Sequence, residues 1–67
     1  MIGTLLYNIL ENEPDGIIIS ENVVSSEVFY LVVNTEDKSL NFLVRKDILL
    51  FSGIWELVKK NEKFKFD

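Results

Sequence analysis

The chain has 67 residues, a formal net charge of -4 at pH 7, and no cysteine or histidine. Without cysteine the chain cannot form disulfides, and without cysteine and histidine it lacks the ligands that structural zinc sites prefer. The length allows one small domain, residues 1–67. A domain of this size buries only about 60% of the surface that its unfolded chain exposes. Because 48% of the residues are hydrophobic, we expect an exposed apolar patch that a second copy or another protein covers.

Charge is divided unevenly along the sequence. Residues 1–37 hold seven acidic side chains and no basic ones, whereas the seven basic residues all lie between Lys38 and Lys65. Such asymmetry is typical of proteins whose charge governs association and orientation. We therefore expect an acidic surface formed by Glu11, Glu13, Asp15, Glu21, Glu36 and Asp37.

The N-terminal segment, residues 4–11, fits two structures. Apolar residues recur in it at helical spacing behind a Thr4 cap, which favours a short helix. The same segment can also pair as a strand with residues 17–19 across the turn that Pro14 and Gly16 favour. The isoleucine run at 17–19 itself predicts a short, largely buried strand.

Residues 27–46 predict a β-hairpin, because two runs rich in valine, phenylalanine, tyrosine and leucine flank the polar segment 34–39. Pairing Asn34 with Ser39 sets Val33 opposite Leu40 and makes one face of the hairpin wholly apolar. The other face mixes apolar and polar side chains, which favours a partner surface. Its apolar members include Tyr30, Val32 and Leu43.

The C-terminal third predicts a turn, a helix and an alternating tail. Asp47 can cap a short turn through residues 48–51. Ser52 can cap a helix in which the apolar residues at 54, 57 and 58 share a face. Residues 63–66 alternate lysine with phenylalanine, which is typical of an edge strand. A frayed terminus is the alternative.

These elements predict an α+β fold. It comprises a three-stranded antiparallel meander over residues 17–19, 28–33 and 40–44, a C-terminal helix from Ser52, and a short N-terminal helix or strand. The alternative is an all-β small barrel of the SH3-like kind. In that barrel residues 4–10 and 54–58 become strands, and residues 47–50 form the one-turn connector before the last strand.

The sequence offers no evident catalytic group. Without histidine or cysteine, only carboxylates, lysine, tyrosine or serine are left for catalysis, and none has an activating partner at a recognisable spacing. Residues 11–16 resemble the start of a calcium loop, but Pro14 stiffens the segment and Asn22 stands where such a loop needs a bidentate glutamate. We therefore predict no enzyme activity, no cofactor and no metal site.

Two nucleic-acid hypotheses remain as alternatives. A basic patch of Arg45, Lys46, Lys59 and Lys60 would suit a small nucleic-acid-associated module, although the net charge of -4 opposes it. Conversely, the acidic surface would suit a DNA mimic that inhibits a nucleic-acid-binding protein. Mimicry requires the carboxylates to lie along one face, whereas scattered positions indicate ordinary solvation.

We predict a non-enzymatic protein-interaction module, an inhibitor or adaptor that forms a homodimer and engages another protein rather than nucleic acid or a membrane. The predicted interface consists of Tyr30, Val32, Leu43, Leu49, Phe51 and Trp55. The longest apolar run is far shorter than the ~20 residues that cross a bilayer, and no signal sequence is evident, which predicts a cytoplasmic protein. Abundant residues with AT-rich codons indicate a phage or another mobile element of an AT-rich genome.

Overall fold

The computed structural model describes residues 1–59. In this part of the chain the elements follow in the order β1 (Leu5–Asn8), β2 (Glu13–Val24), β3 (Glu27–Val33), β4 (Asn41–Arg45), α1 (Lys46–Phe51) and β5 (Trp55–Val58). All strand pairs are antiparallel, and the order across the sheet is β4-β3-β2-β1-β5. The described chain is therefore a small antiparallel five-stranded sheet with one short helix. The predicted tail at residues 63–66 lies outside the described residues.

The predicted meander is present as β2, β3 and β4, but it forms only part of the sheet. The helix favoured for residues 4–11 is wrong, because that segment contains β1, which pairs with β2 on one side and β5 on the other. Alternation along this strand buries Leu6 and Asn8. Ile9 and Leu10, which completed the helical pattern, lie exposed in the following turn.

The helix predicted from Ser52 is also wrong. The helix of the described chain lies earlier, at α1, where the carboxylate of Asp47 accepts the backbone N–H of Ile48 at 2.8 Å and Ser52 is the C-cap. Gly53, with a φ of 76°, lies just beyond this end, where helices commonly stop. Residues 55–58 form β5 because they pair with β1, so alternate residues face the core in place of a helical stripe.

The ladder between β3 and β4 is shifted by one residue from the predicted register. Val33 pairs with Asn41 rather than Leu40. The reason lies in the turn, where the backbone N–H of Asn34 donates to the carbonyl of Leu40 at 2.9 Å and so makes the turn one residue longer. The carboxylate of Asp37 accepts the backbone N–H of Ser39 inside this turn at 3.0 Å.

This shift decides which residues of the hairpin form the core. Because a one-residue slip moves every side chain of a strand to the other face, Phe42 and Val44 join Tyr30 and Val32. Of the face predicted to meet a partner, Tyr30 and Val32 of β3 therefore lie inside the sheet, whereas Leu43 of β4 lies outside it. The core contains Leu6, Ile18, Tyr30, Val32, Val44 and Leu49.

β2 serves both halves of the sheet and bends between them. Its first half pairs with β1 and its second half with β3, and the register with β3 shifts between Ile18 and Ser20. The backbone of β3 comes so close that a Cβ on Gly16 would lie 2.4 Å from the carbonyl oxygen of Val33. The sheet curls until Phe42 of β4 stacks on Trp55 of β5, with ring centroids 6.1 Å apart. Within residues 1–59, no helix combines the length and apolarity that crossing a bilayer requires.

Candidate protein interface

The residues predicted to form a protein interface divide between the core and the surface. Tyr30, Val32 and Leu49 are 2%, 0% and 1% exposed, so their placement on a surface is wrong. Leu43 and Phe51 are 61% and 83% exposed. Trp55 is half-buried. Leu43, Phe51 and Trp55 are therefore the predicted residues that the fold leaves accessible to another molecule.

The apolar run of α1 supplies both core and surface. Leu49 is buried, while Ile48, Leu50 and Phe51 remain exposed. A helix of six residues makes fewer than two turns and cannot bury every side of a continuous apolar run. Ile48 thus belongs with the accessible residues, although the predicted interface does not include it. The sequence signal for its exposure is the apolar run around it, which is too long for one face of a short helix.

Three of these four accessible residues lie around a groove of about 410 Å³ beside β4. Leu43, Ile48 and Trp55 contribute to its walls. Ile48 also shares a neighbouring depression with Phe51, so the apolar surface is continuous. We name this surface the edge patch, and define it as Leu43, Ile48, Phe51 and Trp55.

A second, mainly apolar groove of about 290 Å³ separates α1 from the beginning of β3. Val28, Leu50 and Phe51 provide its apolar lining, and Arg45 lines both grooves. Because Phe51 belongs to this groove and to the edge patch, the two apolar surfaces meet at α1.

Charged side chains at the edge patch are paired with one another. The Nε of Arg45 lies 2.6 Å from Oδ1 of Asp47, and its Nη1 lies 3.9 Å from Oε1 of Glu27. The guanidinium of Arg45 holds the pKa of the Asp47 carboxyl below its ordinary value, chiefly through this hydrogen bond. Since these groups are exposed, water screens the pairs, and their main effect is to orient Arg45 beside the apolar residues.

Trp55 is held in place from two sides. Its ring stacks on Phe42, and its indole N–H donates to Oδ2 of Asp15 at 2.7 Å. The side-chain amide of Asn8 donates to the same oxygen at 2.9 Å and to Glu11 at 3.0 Å. No local sequence pattern predicts this network, because its hydrogen-bonding members come from three strands and the β1–β2 connection. Trp55 is therefore an oriented aromatic at the margin of the edge patch.

The predicted acidic surface is only partly assembled. The side-chain amide of Asn34 donates to the backbone carbonyl of Asp15 at 3.5 Å, which joins the β3–β4 connection to the start of β2. Glu21 lies apart from them, on β2 opposite Tyr30. Asp15 is engaged by Trp55 and Asn8. We name the remaining acidic residues at this end of the sheet the acidic end: Glu11, Glu13, Glu36 and Asp37.

Two other sequence hypotheses concern charged groups. Among residues 1–59, no three acidic side chains are grouped in a way that would hold a metal ion. In the predicted basic patch, Arg45 is paired with carboxylates and Lys60 lies outside the described residues. The geometry thus leaves the edge patch as the best-formed candidate site. No protein-family model, curated protein or solved structure matches this chain.

Proposed function

We propose that this protein is a non-enzymatic interaction module that forms a homodimer and binds or inhibits another protein through the edge patch. One observation carries the proposal: among residues 1–59, twelve large hydrophobic side chains are exposed while seven are buried. Scattered apolar side chains are ordinary on protein surfaces, but contiguous ones mark binding sites. The edge patch is contiguous, which is why we assign the contact to it.

The composition of the edge patch also supports this role. Aromatic side chains and arginine are enriched where proteins bind one another, and the strongest contacts cluster around apolar anchors surrounded by polar groups. Phe51 is the most exposed aromatic residue of the described chain, at 83%. Trp55 is already oriented by Asp15, so little conformational freedom remains for it to lose on binding. Paired Arg45 supplies a polar margin.

We infer further that the curled sheet is a small barrel of the SH3-like kind. Three features support this inference: the strand order β4-β3-β2-β1-β5, the sharing of β2 between both halves of the sheet, and the short helix between β4 and β5. Residues 4–10 and 54–58 contribute the first and last strands, as that architecture requires.

Sedimentation equilibrium tests the homodimer. We expect the wild-type chain, of 7.8 kDa, to reach twice that mass at micromolar concentrations. Phe51→Glu should shift the equilibrium toward the monomer, because it places a charge in an apolar contact. Leu10→Glu is the matched control, since Leu10 is 77% exposed but lies in the β1–β2 connection, outside the edge patch.

The outcomes separate the two parts of the proposal. A wild-type monomer at all concentrations would remove the homodimer, and dissociation by Leu10→Glu alone would move the contact away from the edge patch. For the second partner, affinity capture from the native host should recover a protein with wild-type bait but not with Phe51→Glu bait. An apolar contact of this kind should respond little to salt, whereas nucleic-acid binding would weaken steeply.

The acidic end favours a second candidate, a DNA mimic. Glu13 in β2 and Glu36 in the β3–β4 connection are exposed, and Asn34 joins these two elements through the carbonyl of Asp15. If mimicry is the function, Glu13→Gln/Glu36→Gln should abolish binding to the captured partner while Phe51→Glu leaves it unchanged. The opposite pattern is expected if the edge patch makes the contact.

A further inference from the structure

Beside the edge patch, the backbone of β4 offers hydrogen-bonding groups along its outer edge. The N–H of Asn34 donates to the carbonyl of Leu40, which identifies this pair as a hydrogen-bonded pair of the ladder. In an antiparallel ladder such pairs alternate with non-hydrogen-bonded pairs. Phe42 and Val44 therefore direct their backbone groups toward β3. By the same alternation, the backbone N–H and C=O groups of Asn41, Leu43 and Arg45 point outward, away from β3.

β4 lacks the features that usually protect the edge of a sheet. Edge strands commonly carry proline, lysine, a bulge or an inward-pointing charge that prevents pairing with another chain. β4 contains no proline or lysine, and its ladder with β3 has no register shift. Its one charged residue, Arg45, stands at its end and is paired with Asp47. β5, at the other edge, has the exposed charge of Glu56 within its four residues.

We propose that β4 pairs antiparallel with the β4 strand of a second copy, in a register centred on Leu43. The two sheets then join into one continuous sheet across a twofold axis. This inference rests on the homodimer proposed above and specifies its contact. In this register Leu43 faces the counterpart Leu43, and Asn41 faces the counterpart Arg45.

The register is self-complementary in its hydrogen bonds. The N–H and C=O groups of Leu43 face those of their counterpart, and the N–H of Arg45 faces the C=O of Asn41 on each side. The C=O of Arg45 takes no part in this pairing. Arg45 is the N-cap of α1, and the carbonyl of an N-cap residue accepts the first hydrogen bond of its helix. Roughly four hydrogen bonds between the copies result.

The same register is favourable in charge and polarity. Centring the pair on Arg45 would set two guanidinium groups against each other, and like charges directly opposite are destabilising. Centring it on Phe42 would place apolar Leu43 against polar Asn41. The Leu43-centred register avoids both contacts and covers a side chain that is otherwise 61% exposed.

The area that a stable dimer needs explains why the edge patch takes part. Specific interfaces bury about 1,200–2,000 Å², which a ladder of two short strands does not supply alone. Leu43 and Ile48 line one groove, and Ile48 and Phe51 share the next depression. A twofold axis at Leu43 therefore brings the α1 side chains of both copies to the margins of the strand pair, where they add apolar area.

Cysteine cross-linking tests the register, because the chain has no cysteine of its own. Leu43→Cys should form disulfide-linked dimers in a glutathione buffer, since Cα atoms of facing residues are about 5.5 Å apart, within disulfide range. Asn41→Cys alone should not, because its counterpart lies four residues out of register, roughly 13 Å away. A mixture of Asn41→Cys and Arg45→Cys should give the mixed dimer.

The results distinguish failure of the strand pairing from failure of the homodimer. Self-linking of Asn41→Cys, or the absence of linking by Leu43→Cys in a protein that sediments as a dimer, would overturn the strand pairing and leave the homodimer intact. A monomer at every concentration would remove both. Masses that rise beyond the dimer would indicate pairing of β4 with β5 of the next copy, a head-to-tail contact, and would overturn the twofold arrangement.

Discussion

Trp55 donates its indole N–H to the carboxylate of Asp15 at 2.7 Å, a contact between residues 40 positions apart in the sequence. The same carboxylate oxygen accepts the side-chain amide of Asn8. This acceptor connects β1, β2 and β5, which are neighbours in the sheet. Asp15 is therefore a structural residue, and its charge is not free to serve an acidic binding surface.

Asp15→Ala should lower the free energy of unfolding by about 2–3 kcal/mol, because the part-buried donors of Trp55 and Asn8 lose their acceptor. Urea titration followed by the fluorescence of Trp55, the single tryptophan, measures the change. Glu13→Ala is the control: its exposed carboxylate lies two positions away, and the variant should stay within about 0.5 kcal/mol of wild type. Equal losses in both variants would show that the contact contributes nothing.

Gly16→Ala should destabilise the protein by about 3 kcal/mol or more, because its Cβ would meet the backbone of Val33. A backbone atom cannot move aside as the end of a side chain can. Gly53→Ala is the matched variant, since nothing lies within 4 Å of a Cβ there and only the φ of +76° opposes it. We expect about 1 kcal/mol for Gly53→Ala. Thermal or urea unfolding of both variants checks the order, and a larger effect at Gly53 would contradict the close approach.

The substitutions Tyr30→Glu and Leu43→Lys should distinguish a core position from a surface position by their effects on folding. Tyr30 is 2% exposed, so a carboxylate there should unfold the domain, with a loss of about 4 kcal/mol or more. Leu43→Lys should keep the circular dichroism spectrum of the wild type and lower only its tendency to associate. A folded Tyr30→Glu variant would contradict the burial of Tyr30, whatever its state of association.

Alkaline pH should destabilise the protein through Tyr30. Burial raises the pKa of Tyr30 above its ordinary value of 10.0, and the nearby Glu21 carboxylate adds to the effect. Since the unfolded chain then ionises first, the stability is complete below pH 10 and is lost as the pH rises through the folded-state pKa.

Urea midpoints from about pH 8 to about pH 11 measure this loss. Tyr30→Phe should reduce the decline, because the buried phenol is removed. Tyr7→Phe removes the other tyrosine, which hydrogen-bonds to Asn12 in an exposed position, and should retain the decline. An identical pH profile in both variants would exclude Tyr30 as the cause.

The local sequence could predict the β3–β4 hairpin but not its register. Valine, phenylalanine and tyrosine runs on either side of a polar turn specify two strands. The register depends on whether Asn34 pairs with Ser39 or Leu40, and hydrogen bonds within the turn decide this. Because that choice reverses the faces of the hairpin, the predicted register places Tyr30 and Val32 on a surface, whereas they belong to the core.

The segments at the two ends of the described chain show a different limit. Short apolar runs such as residues 54–58 fit a helix and a strand equally well. What decides the outcome is pairing with β1, and a local pattern contains no information about a strand 50 residues away. For the candidate site, the exposure of Leu43 and Phe51 could be predicted because the chain has more apolar residues than it can bury. The orientation of Trp55 could not, since Asp15 provides it.

β2 pairs with β1 through one half and with β3 through the other. Cutting the chain on either side of β2 leaves two pieces, neither of which contains a complete set of neighbours for its own strands. Neither piece should therefore fold on its own, and a miniaturised version must keep β2 entire. Neither piece alone should give the circular dichroism spectrum of the intact protein. A mixture of the two pieces should restore it, as in fragment complementation.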